Sequence, residues 1–334
     1  MMKVGINGLG RIGRAVFKLV QESDQLELVA LNDLASPENL AYLINYDTVY
    51  GRYEKKVEFS ERRFLQEGKT IHVYPEKDPA SIPWHDHKVD LVFDCTGVFN
   101  DKEGLQKHLE SGAKKVILSA PAKNETIETV VFGVNKPSGK NDIISCASCT
   151  TNCISPVVEI IDRHFGIKKG TLTTVHAFTS TQGIVDTTNK KIRRGRAASF
   201  NFVPTSTGAT KATTRVLAQL KGKFEGSAIR GPVAVGSISD LNFVIGKRVS
   251  TEEINNIFKE ETRSERYRGI LAVTDEPIVS SDIIKDPHAS IIDLGMTMAI
   301  DGDLIKVMSW YDNEWGYANQ MIRTAEYLAD VKSQ

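Results

Sequence analysis

The sequence predicts an α/β chain in two parts: a mainly parallel sheet domain, then an α+β domain with a largely antiparallel sheet. Three observations carry this. Up to about residue 148, short apolar runs alternate with segments of helical spacing. Beyond it the apolar runs lengthen and few helical segments separate them. The 334 residues also exceed what one core usually holds, roughly 250–300.

In the first part, Lys3–Asn7 and Leu26–Leu31 read as strands, and Ile12–Gln21 and Pro37–Ile44 as the helices after them. Arg52–Phe59 and Thr70–Tyr74 read as extra strands of antiparallel type. Val89–Phe93 and Lys115–Leu118 are compact strands on either side of a helix over Lys102–Ser111. Asp142–Ser145 is a strand leading into a helix over Thr150–Phe165. In the second part, Gly170–Val175, Ser227–Val235, Ile238–Ile245, Ser290–Ile300 and Leu304–Trp310 read as longer strands. Thr251–Glu261 is a helix opened by a threonine and paired acids. Gly316–Asp330 is a helical tail expected to pack back onto the first domain. The expected domains are therefore 1–148 joined by a C-terminal helix 313–334, and 149–312. Between them in character lies Ser180–Asn201, polar, basic and weakly periodic; a loop of that length is usually functional.

Composition narrows the function classes. Hydrophobic residues make up 41%, enough for two cores, and 42 basic residues balance 42 acidic ones. A zero net charge gives no global pull toward nucleic acid or membrane, and neither partner is expected. No run approaches the ~20 apolar residues that span a bilayer, and the start of the chain lacks the pattern of a secretion signal. Cys95, Cys146, Cys149 and Cys153 are too few for a disulfide framework and fit reduced thiols. The expected location is the cytoplasm; no metal site is read.

Gly8-Leu9-Gly10-Arg11-Ile12-Gly13 follows a strand and opens a helix. The first glycine permits the tight turn, the second lets the backbone approach a pyrophosphate, and the third lets helix and strand pack closely. The helix start offers N–H groups and a positive dipole end. Asp33, twenty residues past Gly13, ends the second strand, where a carboxylate can accept the adenosine ribose hydroxyls. These spacings point to a dinucleotide. A carboxylate there repels a 2′-phosphate, which favours NAD over NADP.

Ser145 to Cys153 lies between a strand and the helix after it, and Cys149 falls at the helix start. The dipole there favours an anion and lowers a thiol pKa. Cys153, one turn on, reads as a small buried hydrophobe, as do Cys95 and Cys146. The nucleophile needs a base. His85, His87, His108, His164 and His288 lie in polar loops or on helix faces and read as solvated, and His72 reads as a strand surface residue. His176 ends the apolar strand Leu172–Val175 and precedes the long loop. From the residues alone it is either the partner of Cys149 or a satisfied structural histidine.

Ala147-Ser148-Cys149-Thr150-Thr151-Asn152-Cys153 resembles the active-site segment of phosphorylating glyceraldehyde-3-phosphate dehydrogenases. Asn7 to Arg14 is similar to their amino-terminal fingerprint. Thr174 to Thr179, Arg196 to Ser199, Pro204 to Ala209 and Trp310 to Tyr317 are similar to further family segments in the same order. The resemblance covers essentially the whole chain. It implies a Rossmann-type first domain that binds NAD, with NADP tolerated, through Gly8, Gly10, Arg11, Ile12, Gly13, Asp33, Thr96, Ser119, Asn313 and Tyr317. It implies a chemistry in which Cys149 attacks the aldehyde of glyceraldehyde 3-phosphate and His176 acts as base. Inorganic phosphate then cleaves a thioester to give 1,3-bisphosphoglycerate.

That reaction needs two anion sites. The resemblance puts Thr179, Thr181 and Arg230 at the substrate phosphate, and Ser148, Thr150, Thr207, Gly208 and Arg196 at the attacking one. Arg193 and Arg194 read as solvated or as subunit contacts. A homotetramer is implied, the long loop reaching a neighbour. This sequence departs from the family pattern at Cys146, where asparagine is usual, in the run Gly231 to Ala234 after the arginine, and at Thr187-Thr188. Two hydroxyls at the last position can donate to a 2′-phosphate. Erythrose-4-phosphate dehydrogenase, which ends in hydrolysis, is the alternative activity; a catalytically idle binding protein is the alternative class.

Overall fold

The apolar runs of the first part become strands because neighbours cover both faces of each, so almost every residue of Val4–Asn7, Leu91–Asp94 and Lys115–Leu118 is buried. The computed structural model describes residues 1–333; of the helix expected over 313–334, Gln334 lies outside the described residues. Contacts divide the chain into two units. One holds Met1–Val130, Lys136–Ala147 and the chain from Ala318 on; the other holds Val131–Asn135 and Ser148–Tyr317.

Unit 1 runs β1 (Met2–Asn7), α1 (Arg11–Val20), β2 (Leu26–Asn32), α2 (Pro37–Asn45), a short hairpin β3 (Tyr46–Asp47) and β4 (Gly51–Arg52), then β5 (Glu58–Ser60), β6 (Arg63–Gln66), β7 (Lys69–Tyr74), β8 (Leu91–Asp94), α3 (Lys102–Glu110), β9 (Lys115–Leu118), β10 (Glu128–Thr129) and β11 (Ile143–Ser145). Its sheet has the order β10-β11-β9-β8-β1-β2-β7-β6-β5, parallel from β10 to β7 and antiparallel at β6 and β5. Strand β1 lies between β2 and β8, so the chain order reverses there. The crevice at the carboxyl end of such a switch point is where open α/β sheets bind ligands.

The edge of this sheet differs from expectation. The single strand expected over Arg52–Phe59 is two pieces: β4 pairs in the hairpin and β5 at the sheet edge. β6 was not expected at all. Thr70–Tyr74 pairs parallel with β2 on one side and antiparallel with β6 on the other. β5 is exposed at every residue, so its sequence carries no alternation to read.

Unit 2 begins with α4 (Cys149–Phe165) and continues through β12 (Ile167–Ala177), β13 (Val203–Ser206), α5 (Ala209–Val216), β14 (Phe224–Gly231), β15 (Ser237–Ile245), α6 (Thr251–Glu261), β16 (Leu271–Thr274), β17 (Ser290–Ile300) and β18 (Leu304–Tyr311). The sheet order is β13-β14-β12-β15-β18-β17-β16, antiparallel except for β14 with β12 and β16 with β17. Val157, Ile160 and Ile161 of α4 join Leu241, Phe243, Ile305 and Val307 in one buried cluster, so α4 lies against the sheet. α6 starts on a capping box between Ser250 and Glu253. The strand expected to reach Val235 stops at Gly231, because Pro232 cannot donate to the ladder.

Glu159 of α4 ties this unit together. Its carboxylate accepts from Arg163, from Arg266 Nη1 at 2.8 Å and from the Tyr267 hydroxyl at 2.7 Å. Arg266 also donates to the carbonyls of Gly133 and Val134, which is why 131–135 groups with unit 2. The last helix, α7 (Trp315–Ser333), begins in unit 2 and belongs to unit 1 from Ala318 on. Ser180–Asn201 forms one 3₁₀ turn, Ile192–Gly195, and is otherwise irregular.

The turn after β1 rests on two glycines. Gly8 has φ +89°, and a Cβ on it would lie 2.9 Å from the Thr96 backbone. A Cβ on Gly13 would lie 1.9 Å from the Gly8 carbonyl oxygen. Gly13→Ala should therefore cost about 3 kcal/mol or more, read as a lower urea midpoint. Gly10→Ala, whose added carbon meets open space, should cost about 1 kcal/mol or less.

Candidate functional site

The nucleophile segment is built by a strand, a strained turn and a helix. Ala147 takes φ +55°, rare for a residue with a Cβ and worth on the order of 1 kcal/mol of strain. Ser148 is the N-cap: its Oγ accepts from the Thr151 N–H at 3.1 Å. Cys149 is the first helical residue and half-buried, and its Sγ lies 3.3 Å from His176 Nε2. Of the two readings open for His176, the structure gives contact with the sulfur.

His176 is placed by sheet register. It is the penultimate residue of β12, and the parallel ladder sets it opposite Arg230 of β14, on the same face. Its Nδ1 is 2.6 Å from Arg230 Nη1 and 2.6 Å from the Ala177 carbonyl. One ring nitrogen cannot accept from the arginine and donate to the carbonyl at once. The first arrangement leaves a proton on Nε2 for the sulfur; the second leaves an Nε2 lone pair that can act as base. The Tyr311 ring stands edge-on to the imidazole at 5.9 Å. Its hydroxyl joins Thr150 Oγ1 at 2.9 Å and Thr174 Oγ1 at 2.8 Å, so one buried phenol braces the helix start against the strand.

Electrostatics differs from the sequence reading in one respect. The Cys149 thiol, expected below its ordinary value, sits above it, because burial, the largest influence, pushes it up. Arg230, the Thr150 hydroxyl and the N–H groups of Thr150 and Cys149 pull it down. Burial, then Arg230 and Arg194, depress His176 to about 3. Cys153 and Cys146 are buried and pushed up to about 12, in line with inert thiols.

Cations gather at the same end of the sheet. Arg230, Arg194 and Lys191 all sit below their ordinary values through burial, and neighbouring arginine charge adds to this at Arg230 and Lys191. Arg194 Nε donates to Thr205 Oγ1 at 3.0 Å and Lys191 Nζ to Ser206 Oγ at 2.9 Å, which ties both to β13, the neighbour of β14. A set of positive groups that oppose one another is a place for an anion. Arg196, also expected here, is exposed and its Nε donates to Asp186 at 2.9 Å. Arg194, read as solvated or as a subunit contact, is half-buried and its charge reaches His176, and Lys191, not singled out in the sequence, lies with it. The run Ile192 to Arg196 carries three arginines, and only the 3₁₀ turn decides which one faces inward.

Thr179 and Thr181 follow β12, their hydroxyls 2.8 Å apart. Thr207 Oγ1 accepts from the Ala209 N–H, and Gly208 is the exposed N-cap of α5. Asn313 is buried, its Oδ1 taking the Gly236 N–H and the Ser237 hydroxyl, while Ser237 Oγ also accepts from the Ala177 N–H. Tyr317 is buried at the start of α7.

In unit 1 a pocket of about 330 Å³ opens at the carboxyl ends of β1, β2 and β8, lined in part by Gly8, Gly10, Asp33 and Thr96. Asp33 Oδ2 accepts from the Leu9 N–H at 2.7 Å and Oδ1 from the Ala35 N–H at 2.9 Å, which holds its carboxylate at the rim of the glycine turn. Gly10 caps α1 with no side-chain cap and with open space at its α-carbon. Those features fit a dinucleotide pyrophosphate. Ile12 is half-buried in the first turn of α1, and Arg11 pairs with Asp47 at 2.5 Å. Ser119 donates its N–H to the Asp94 carbonyl. Asp94 and His108, both fully buried, were missed; His108 is corrected from solvated to core.

Comparison with known proteins agrees with this geometry. Residues 2–102 match the family model for the NAD binding domain of glyceraldehyde 3-phosphate dehydrogenase, and residues 148–313 match that for its C-terminal domain. The chain belongs to the glyceraldehyde-3-phosphate dehydrogenase family. It is 48% identical over 332 residues to a glyceraldehyde-3-phosphate dehydrogenase of Thermotoga maritima, covering 98% of this chain and 99% of the relative. It is 46% identical over 333 residues to glyceraldehyde-3-phosphate dehydrogenase 2 of Streptomyces avermitilis, with the same coverage. Glyceraldehyde-3-phosphate dehydrogenase 2 of Bacillus subtilis is 45% identical over 331 residues, 98% of this chain and 97% of its own length. As a member of this family the protein is an NAD-dependent oxidoreductase. No helix among the described residues is long and apolar enough to cross a membrane.

The depressed His176 gives a pH prediction. Unfolded, the imidazole takes up a proton near pH 6.5; folded, it does so only near 3. Between these values the unfolded state binds more protons, so stability should fall as the pH drops from 6.5 towards 3. Urea unfolding of wild type and His176→Asn across that range checks this: the variant should lose less stability, by a few kcal/mol.

Proposed function

We propose that the chain oxidises glyceraldehyde 3-phosphate with NAD and inorganic phosphate to 1,3-bisphosphoglycerate. The observation that carries this is the Cys149–His176 contact at the start of α4 with Arg230 at its side. In this reading Cys149 Sγ adds to the aldehyde carbon and forms a hemithioacetal. The N–H groups at the start of α4 and the His176 ring stabilise the oxyanion as it develops. His176 Nε2 then takes the hydroxyl proton as the carbon loses its hydrogen and becomes a thioester. NAD, when bound, supplies the hydride acceptor for that oxidation. Phosphate adds to the thioester carbonyl and the sulfur leaves as thiolate, which gives the acyl phosphate.

The substrate phosphate is assigned to Thr179, Thr181 and Arg230, and the attacking phosphate to Ser148, Thr150, Thr207 and Gly208, with Arg194 in the place first given to Arg196. Ser148 Oγ accepts the Thr151 N–H at the cap and shares a proton with Thr151 Oγ1 at 2.7 Å, so one of these two hydroxyls can turn to an anion. The cofactor is assigned to Gly8, Gly10, Arg11, Ile12, Gly13, Asp33, Thr96, Ser119, Asn313 and Tyr317. Residues 1–148 with 313–334 form the nucleotide domain in this reading, and 149–312 the catalytic one. The chain works as a homotetramer in the cytoplasm.

Steady-state reduction of NAD with glyceraldehyde 3-phosphate tests the proposal. Turnover should require added phosphate; a rate indifferent to phosphate would favour the hydrolytic erythrose-4-phosphate activity. His176→Asn should lower kcat about 10³-fold, near 4 kcal/mol, and Cys149→Ala should abolish turnover.

Asp33 favours NAD, while the hydroxyls of Thr187 and Thr188 soften the exclusion of NADP. The ratio of kcat/KM for the two cofactors should therefore favour NAD by less than about 10³; a larger ratio defeats the tolerance.

A further inference from the structure

Beneath the pocket of unit 1 lies a closed set of hydrogen bonds that the proposed chemistry does not use. Its centre is Asp94, the last residue of β8, with no exposed surface. Oδ1 accepts from the Thr96 N–H at 3.1 Å and from the Thr96 hydroxyl at 2.7 Å. Oδ2 accepts from Asn7 Nδ2 at 2.9 Å and meets His108 Nε2 at 3.0 Å. His108, on α3, is as deeply buried as the carboxylate. On its far side the Trp84 indole N–H donates to His108 Nδ1 at 3.0 Å.

The donor logic leaves one arrangement. An indole N–H can only donate, so Nδ1 carries no proton. The ring proton is then on Nε2 and points at Asp94. The tautomer is thus fixed by a tryptophan, and the carboxylate it orients has a full set of partners.

Each arm from Asp94 ends in a wall of the pocket. Thr96 and Asn7 line it. Asn7 Oδ1 accepts from Asn32 Nδ2 at 2.8 Å, and Asn32 in turn clasps Glu76 through the Glu76 N–H at 2.9 Å and the Glu76 carbonyl at 2.9 Å; both residues line the pocket too. Phe99, also a wall residue, stands edge-on to the His108 ring at 6.5 Å and 90°. The Thr96 backbone is the surface against which Gly8 closes to 2.9 Å for an added Cβ. His108 touches no space open to a ligand, yet one side chain sits behind five wall residues.

We propose that His108 is a positioning residue of the dinucleotide site, acting through Asp94 and Phe99 to hold the pocket in its binding shape. This rests on the reading that the pocket takes NAD. The effect should appear in cofactor affinity and leave the aldehyde and the chemical step alone, because the network touches neither Cys149 nor His176.

The test compares His108→Gln with His108→Phe. A glutamine can present its carbonyl to the Trp84 N–H and its NH₂ to Asp94, the pattern of the fixed tautomer. A phenylalanine keeps the packing and loses both bonds. NAD dissociation constants by titration, thermal midpoints, and kcat with KM for the aldehyde at saturating NAD would be measured for each. H108F should bind NAD at least tenfold more weakly, with kcat and aldehyde KM within about twofold of wild type. H108Q should bind within about threefold of wild type. Trp84→Phe, which frees Nδ1 while keeping the histidine, should fall between them and serves where H108F does not fold. H108Q as weak as H108F, or variants with lower midpoints and unchanged NAD affinity, overturn the inference. A wild-type chain that binds no NAD overturns the dinucleotide reading itself, and the titration separates that result from the others.

Discussion

The chemistry of this chain depends on a sulfur and an imidazole nitrogen held 3.3 Å apart by elements that have little else in common. The sulfur is the first helical residue of a long helix; the imidazole is on the last residue but one of a strand eleven residues long. Neither can move alone. The α4 helix is buried along Thr150–Ile161 and anchored by Glu159, so its start is fixed by its middle. The strand end is fixed by its ladder with β14 on one side and by the Ala177 N–H donating to Ser237 Oγ on the other. Tyr311 closes the remaining freedom by bonding a hydroxyl from each element with one phenolic oxygen. Such bracing by packed neighbours is what lets a reactive pair keep its geometry without a substrate.

The surroundings of that pair set two opposing tendencies. Burial disfavours charge on both groups and is the largest influence on each: it keeps His176 neutral and able to take a proton, and it holds the Cys149 thiol above its ordinary value. The cations Arg230 and Arg194 add to this by repelling a proton from the ring, and Arg230 also draws the sulfur towards its anion. The same positive charges suit phosphate groups. One arginine therefore works in two ways: in the proposed function it holds an anion, and it competes with the Ala177 carbonyl for His176 Nδ1.

Much of this was legible in the sequence, for physical reasons. Ser290–Ile300, Thr251–Glu261 and Lys115–Leu118 have the bounds expected of them, because burial and capping act on neighbouring residues and leave their mark in local pattern. Gly8, Gly13, Asp33 and Cys149 could be read from spacing, since each owes its place to the turn or helix start beside it. The failures share a different cause. β5 is exposed throughout and β6 alternates over four residues, too short for a period to show. His108 sits between Lys107 and Leu109 on a largely polar helix, and only the fold reveals that this turn of α3 faces Trp84 and Asp94. Among Arg193, Arg194 and Arg196 the choice is made by a single 3₁₀ turn that no local signal announces. Ala147 in the left-handed region is invisible for the same reason: its strain is imposed by the strand before it and the helix after it.

The most direct measurement of the central claim is to catch the acyl group on the sulfur. The enzyme would be mixed with NAD and glyceraldehyde 3-phosphate in a buffer free of phosphate, quenched in acid, and digested for mass spectrometry. The account predicts a phosphoglyceryl adduct confined to the peptide bearing Cys149, labile to hydroxylamine and gone when phosphate is added before the quench. An adduct on Cys95, Cys146 or Cys153, or NAD reduced in full with no acylated peptide at any time point, would contradict it.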